Sequence, residues 1–322
     1  MARDSLILLS EDIGRMWKLG ESSGAKAALT GIVPFGETLA LAKISRDPGR
    51  KPCLERYAEA ASDAQPGKQL EHLIREGTRS RDRLCLVTPW EAYRILLVDA
   101  PDVPAHELRS ALRWKVKDLI DFHVDDALID VFELPAETRS GETRASLYCI
   151  AARMEIIRDL TGLVSETPAR LAVIDIPEMC IRNLAALAPE DQQGLVSVHL
   201  EAQRGLVVIT RQHTLYLARR LEFGSAAIAA DPGVIEQLAL EIQRSIDYCD
   251  RHFHLAIPQT ILILPSETAD APLAHELGSR TGLATRCLDL NTCLEGERKL
   301  DGAEQIRGLL AIGAALRLER SA

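Results

Sequence analysis

Residues Leu195 to Leu221 read LVSVHLEAQRGLVVITRQHTLYLARRL. Three apolar, β-branched-rich runs, Leu195 to Leu200, Leu206 to Ile209 and Thr214 to Leu221, are parted by polar turns. Such runs predict a three-stranded meander. Toward the C-terminus, Asp231-Pro232-Gly233 opens a long helix to about Phe253. Its apolar stripe is Leu238, Ile242, Ile246, Cys249 and Phe253, at spacings of three and four. A buried strand, Thr260 to Leu264, lies between Pro258 and Pro265. It is followed by a helix near Pro272 to Arg280, a strand near Ala284 to Leu290 and a closing helix from Ala303 to about Glu319. The order is βββαβαβα.

Toward the N-terminus the same order recurs. TGIVPFGETLALAKI (Thr30 to Ile44) predicts a hairpin with a tight turn at Pro34, Phe35, Gly36 and Glu37. A weak third run at Cys53 to Tyr57, a helix around Gln69 to Arg75 and a strand at Arg83 to Val87 follow. The pattern resumes with a strand at Leu171 to Ile176 and a helix at Glu178 to Leu187. The interruption, roughly Pro89 to Arg170, predicts elements of its own: a strand at Arg94 to Val98, a helix at Pro104 to Ile120, strands at Leu128 to Leu134 and Ala145 to Ala151, and a helix at Met154 to Val164. The expected organisation is one α/β unit in two copies, residues 30–88 with 171–190 and residues 191–322. A small α/β subdomain, 89–170, is inserted in the first, and residues 1–29 stand apart.

Composition narrows the function classes. The 322 residues are 47% apolar and 26% charged, ordinary for a soluble protein with a real core. A net charge of −9 argues against a nucleic-acid binder, which would show a basic face. Aromatic residues, at 4%, are too few for a base-stacking platform. The seven cysteines (53, 85, 149, 180, 249, 287 and 293) are scattered without a C-x-x-C pair, which predicts free thiols in a reducing compartment. Leu6 to Leu9 is flanked by acids and Leu309 to Leu316 is too short to span lipid, so a protein soluble on its own is expected.

Four segments carry a family resemblance. ELRSALRWKVKDLIDFHVDDALIDVFELP (Glu107 to Pro135), VIDIPEMCIRNLAAL (Val173 to Leu187), LEIQRSIDYCDRHF (Leu240 to Phe253) and AIGAALR (Ala311 to Arg317) resemble type IV pilus assembly proteins of the PilM kind. Among these they look most like the MshI type of the mannose-sensitive haemagglutinin (MSHA) pilus. The resemblance runs from about Gly31 to the C-terminus and implies an actin-like fold, a duplicated ribonuclease H-like βββαβαβα unit with an inserted subdomain. That agrees with the duplication read from the residues.

Actin-like ATPases present a β-turn from each copy to the phosphates. The chemistry needs an Asp for the metal and a Gly for close backbone approach. The PilM-like first turn is approximately G-x-D-x-G-S-x-S-x-K. In this chain Val33 stands at the Asp position, Phe35 at the Gly position and Ala40 at the Lys position, while Pro34 has no N–H to donate. Glu37 would repel a polyphosphate by about 1 to 4 kcal/mol at contact distance. At the second turn, His199, Leu200 and Glu201 replace D-x-G, with Arg204 and Gly205 beyond. Pro265, Ser266 and Glu267 replace the glycine run of the third loop. No catalytic, cofactor or metal set is therefore expected, and the protein is expected not to be an enzyme.

Other clusters have plainer readings. In DYCDRHFH (Asp247 to His254), Cys249 and His252 lie one helical turn apart, a spacing that metal ligands use, yet Cys249 continues the apolar stripe. Asp121, Asp125, Asp126 and Asp130 read as a solvated turn rather than paired catalytic carboxylates. No G-x-S-x-G context supports a hydrolase. Within Pro104 to Ile120 the core stripe is Leu108, Leu112, Val116 and Leu119, and Trp114 points almost opposite, beside Lys117 and Asp121. Trp114 is either covered by the subdomain's own sheet or is a partner anchor with Lys117 and Asp121 as its polar rim.

The resemblance implies a cytoplasmic scaffold, peripheral at the inner face of the bacterial inner membrane through its partners. It would bind the cytoplasmic tail of a PilN-like single-pass protein, in a groove between the first lobe and the inserted subdomain, and contact other pilus assembly components. Alternatives are a working actin-like ATPase and the type II secretion scaffold, whose chain would be expected to continue into a membrane span.

Overall fold

Two mixed β-sheets and a third, smaller one organise the chain. The computed structural model describes residues 27–317, apart from 36–37, 62–65, 78–81, 105, 135–136, 140–141, 145, 166, 168 and 269–270. In the first half β1 (Ala27–Phe35), β2 (Thr38–Arg46) and β3 (Cys53–Ala61) form an antiparallel meander. Helix α1 (Pro66–Gly77) leads to β4 (Arg83–Val87), which pairs parallel with β1. The chain then leaves this sheet for β5 (Tyr93–Asp99), α2 (Leu108–Val116), β6 (Ala127–Glu133), the short hairpin β7 (Glu137–Arg139) and β8 (Glu142–Arg144), β9 (Ser146–Arg153) and α3 (Met154–Ser165). It returns as β10 (Arg170–Asp175), parallel to β4, and α4 (Pro177–Ala185).

The second half builds β11 (Leu195–Leu200), β12 (Gly205–Arg211) and β13 (Thr214–Leu221), the expected meander. A six-residue helix, α5 (Ser225–Ala230), precedes the long α6 (Val234–Phe253). After these come β14 (Thr260–Ile263), α7 (Ala271–Thr281), β15 (Ala284–Cys287), the short α8 (Leu290–Cys293), β16 (Glu295–Gly296) and α9 (Gly302–Ala315). The sheets run β10-β4-β1-β2-β3-β16, β13-β12-β11-β14-β15 and β5-β9-β6. The first two share the sequence meander, helix, parallel strands, which is the duplication seen in the residues.

Packing does not follow the boundaries expected from chain order. Helix α9, expected with the second copy, lies on β1, β2 and α4, while α4, expected with the first, packs on β11, β12 and β13. Strand β16 likewise joins the first sheet beside β3. The cause is the small-residue surface of α9. A Cβ placed on Gly31 of β1 would fall 2.0 Å from the Ala311 carbonyl oxygen, and one on Gly313 2.6 Å from the Cys180 carbonyl oxygen of α4. Only glycine admits that approach. Asp301 and Glu304 start the helix with a reciprocal capping box.

Three element expectations need correction. Helix α2 is nine residues, not seventeen: Pro104 precedes it, and the chain turns at 117–119, so Leu119 is 56% exposed instead of in the stripe. The weak third run is a full nine-residue strand, because β2 and β16 flank it on both sides. The strand expected at Ala284 to Leu290 stops at Cys287, where Asp289 caps α8.

Replacing Gly31 by Ala should cost about 3 kcal/mol or more, at the upper end for overpacking, since the obstacle is backbone. Gly162→Ala, on α3 with open space around it, should instead stabilise by up to about 1 kcal/mol. Urea denaturation of both variants checks the pair.

Candidate functional site

The positions where a nucleotide would be held have other employment. Val33 and Ala40 face each other across the β1–β2 ladder, and both side chains are buried in the core. Neither can reach a metal or a phosphate. Gly36 and Glu37 lie outside the described residues, as does the side chain of Phe35. In the third loop Pro265 and Ser266 are buried and Glu267 is exposed.

The β11–β12 turn is bound to the other half of the molecule. Trp90 donates its indole N–H to Glu201 at 2.9 Å, and its ring stacks near His199, which is only 2% exposed. Arg204 pairs with Glu201 and with Glu91, and its guanidinium lies over the Trp90 ring. Burial pushes the Glu201 carboxyl up, but the His199 ring, the Trp90 N–H and Arg204 outweigh it and hold the group below its ordinary value. Glu91 is held down in the same way by Arg204 against its own desolvation.

Beside this contact Arg220 of β13 reaches Glu178 in the first turn of α4. Its Nε and Nη2 donate to one carboxylate oxygen at 3.2 and 3.1 Å, and Nη1 donates to the Trp90 carbonyl at 3.2 Å. The Tyr93 hydroxyl donates to the other oxygen of Glu178, which is fully buried. Burial drives the Tyr93 hydroxyl far above its usual pKa, so it stays protonated.

Next to that network opens an apolar groove. Strands β6 and β9 alternate: Ala127, Ile129, Leu147, Cys149 and Ala151 face α2, while Leu128, Phe132, Tyr148, Ile150 and Ala152 face the other way. That second face meets β10 and α4, and the space left between them is a cavity of about 100 Å³. Leu128, Phe132, Ile150, Ile157, Ile174 and Met179 line it, with Tyr93 at one side. Its polar floor is internally satisfied: Arg317 pairs with Asp175 at 2.6 Å, and the Thr88 hydroxyl donates to the Asp175 carbonyl. At its rim Asp130 accepts from Arg109 at 3.1 Å. The size suits one branched aliphatic side chain, being below the ~150 Å³ that takes a benzene ring.

The residues singled out in the sequence fall elsewhere. Trp114 is 75% exposed, so the subdomain's sheet does not cover it, and Lys117 lies over its ring at 5.5 Å. Asp121 is held by Arg94 and Arg153 at 2.7 and 3.2 Å. Helix α2 packs on the face of the small sheet opposite the groove, so these three do not line it. Asp125 and Asp126 are exposed in a 3-10 turn, and Asp130 is apart from them at the groove rim. Cys249 is buried in the stripe, whereas the His252 ring stacks outside on Tyr248. Among the described residues no group of three or more His, Cys, Asp or Glu is placed to hold a metal ion. The groove itself had one sequence signal: β6 and β9 are apolar on both faces, so the second face needs a cover.

No family model matches the sequence, and no curated protein matches it. Solved structures do. A PilM–PilN type IV pilus biogenesis complex superposes with a TM-score of 0.71 at 18% identity, over 91% of this chain and 98% of that one. The fold is actin-like. A Bacteroides thetaiotaomicron protein of actin-like ATPase fold and unknown function (TM-score 0.48, 9% identity, 88% and 96% covered) is more distant. So is the cytoplasmic domain of EpsL, an inner-membrane component of the Vibrio cholerae type II secretion system (0.47, 9%, 88% and 94%).

Acid should loosen the contact between the halves. Glu201 and Glu91 have folded pKa values below the ordinary 4.5, so their stabilisation is complete above that pH and is lost as pH falls through the folded values. Stability by urea titration should therefore be level above about pH 5 and fall below 4.5, with a shallower fall in Glu201→Gln. An unchanged slope in that variant would remove Glu201 from the acid response.

Proposed function

We propose that this protein is a non-catalytic scaffold of a type IV pilus assembly machine, of the MSHA (MshI) kind, that holds the cytoplasmic tail of a PilN-like inner-membrane protein. The groove between β6–β9 and β10–α4 carries the reading. It is apolar, sized for a branched side chain, and lies on a fold that superposes on a PilM–PilN complex. An extended tail would set one aliphatic side chain into the cavity and run its backbone along the edge strands beside it. Through that tail the scaffold sits at the cytoplasmic face of the membrane. No helix among the described residues is long and apolar enough to cross a membrane. The exposed Trp114, with Lys117 and Asp121 around it, is a second contact, on the outer side of the same subdomain, for the tail beyond the groove.

Catalysis is no part of this reading, because Val33 and Ala40 are core residues and Glu201 and Arg204 are engaged across the cleft. Calorimetry with Mg-ATP should give no heat of binding; a micromolar dissociation constant would restore the ATPase alternative.

Tail binding is measured with the N-terminal cytoplasmic peptide of the PilN-like protein encoded by the same bacterium. Ile150→Glu, which puts a charge into the apolar cavity, should weaken binding at least tenfold. Trp114→Ala should cost about 2 kcal/mol or more of binding, as an aromatic anchor does, with almost no change in melting temperature. Wild-type affinity in Trp114→Ala removes that residue from the site. Wild-type affinity in both variants removes the groove as the tail site, and no binding by the wild-type protein overturns the tail-holding role.

A further inference from the structure

Glu178 has no exposure, and its two oxygens are taken by groups from different parts of the molecule. One binds Arg220, which belongs to β13 of the second sheet. The other binds Tyr93, whose ring lines the groove. Arg220 also lies over the Tyr93 ring at 4.5 Å and the Trp90 ring at 5.2 Å, and it ties down the Trp90 carbonyl in the 3-10 turn before β5. A second link runs from the same strand: the Tyr148 hydroxyl donates to the Tyr216 carbonyl and accepts from the Ala218 N–H. Tyr216, Ala218 and Arg220 follow one another at every second residue of β13, the edge strand of its sheet. That edge therefore grips β5, β9 and α4 together, three of the elements that shape the groove.

We infer that Arg220 is a positioning residue for the groove, acting through Glu178 on Tyr93, so that the second half of the molecule sets the groove's shape from outside it. In a fold whose halves are elsewhere bridged by nucleotide, this protein bridges them with its own side chains. The consequence is a groove held ready without a small-molecule ligand. The inference rests on the groove being the tail site for its functional meaning, but not for its geometry.

The variants are Arg220→Met and the double change Arg220→Met with Glu178→Gln. Arg220→Met alone leaves Glu178 buried without its cation, so it should lower the melting temperature. The double variant removes that charge and should regain most of the stability, while the tie from β13 to Tyr93 stays broken. Hydrogen exchange on the double variant is expected to quicken at least tenfold in residues 93–99 and 172–179, with β14 unchanged. Affinity for the PilN-like tail peptide should stay at least tenfold weaker than wild type, and Arg220→Lys, which keeps the charge, should recover part of it. Wild-type exchange in both segments, or affinity that returns together with stability, overturns the inference. If the wild-type protein does not bind the peptide at all, the tail-holding role fails, and the exchange measurement alone decides the positioning of the groove.

Discussion

The contact of α9 with β1 and α4 is the constraint on which the rest of the structure depends. Gly31 lets the helix backbone approach the first sheet, and Gly313 lets it approach α4, at distances that a single methyl group would forbid. The helix follows the second sheet in sequence yet packs on the first, so this contact ties the two halves together. It carries Arg317 to Asp175 at the floor of the groove and sets the Leu316 carbonyl where Arg46 donates to it. Arg46 loses hydration there, and burial alone lowers its pKa, so the electronegative end of the helix is its compensation. The generic-looking AIGAALR is thus a segment with little freedom.

A second constraint is electrostatic. An actin-like cleft that binds nucleotide must present donors and a metal to a polyanion. Here the turn after β11 presents Glu201, and its cation Arg204 is already shared with Glu91 across the cleft. The one cation is held between two carboxylates, one from each half, instead of waiting for a ligand. Partly desolvated pairs of this kind add modestly to stability, but they fix orientation, since Trp90 must sit with its N–H toward Glu201 and its face toward two guanidinium groups. Orientation is what a groove walled by the first half and braced by the second needs.

Much of the fold could be read from residue patterns, and the reasons are local. The 195–221 meander, the Leu238 to Cys249 stripe and β4 each declare themselves through period and burial within one segment. Helix α2 is shorter than its pattern implies because Leu119 falls in register with Leu112 and Val116 although the helix ends before it. Periodicity does not reveal that the chain turns at 117. Trp114 was rightly placed off the stripe, yet which side of the sheet the helix covers is a tertiary fact. The groove residues were out of reach for the same reason. Leu128 and Ile150 look like any strand residues until the second face of their sheet is seen to be only partly filled. Glu178 and Arg220, 42 residues apart, announce nothing singly; only the fold makes them a pair.

The groove also stands out by what it costs. Cavities left in cores cost roughly 24 cal/mol per Å³, so an apolar space of about 100 Å³ forgoes about 2 kcal/mol. Water does little to offset that, because the lining offers it few partners: Asp175, Arg317 and Thr88 are spent on one another. Elsewhere this chain fits its parts to the width of a glycine, as at Gly31 and Gly313, so it does not leave space for want of means. Ala152 and Val173, which line the groove, are small side chains that leave it open. The sequence thus leaves an apolar space of one side chain unpacked between two sheets, and it is on that unfilled space that the proposed tail site rests.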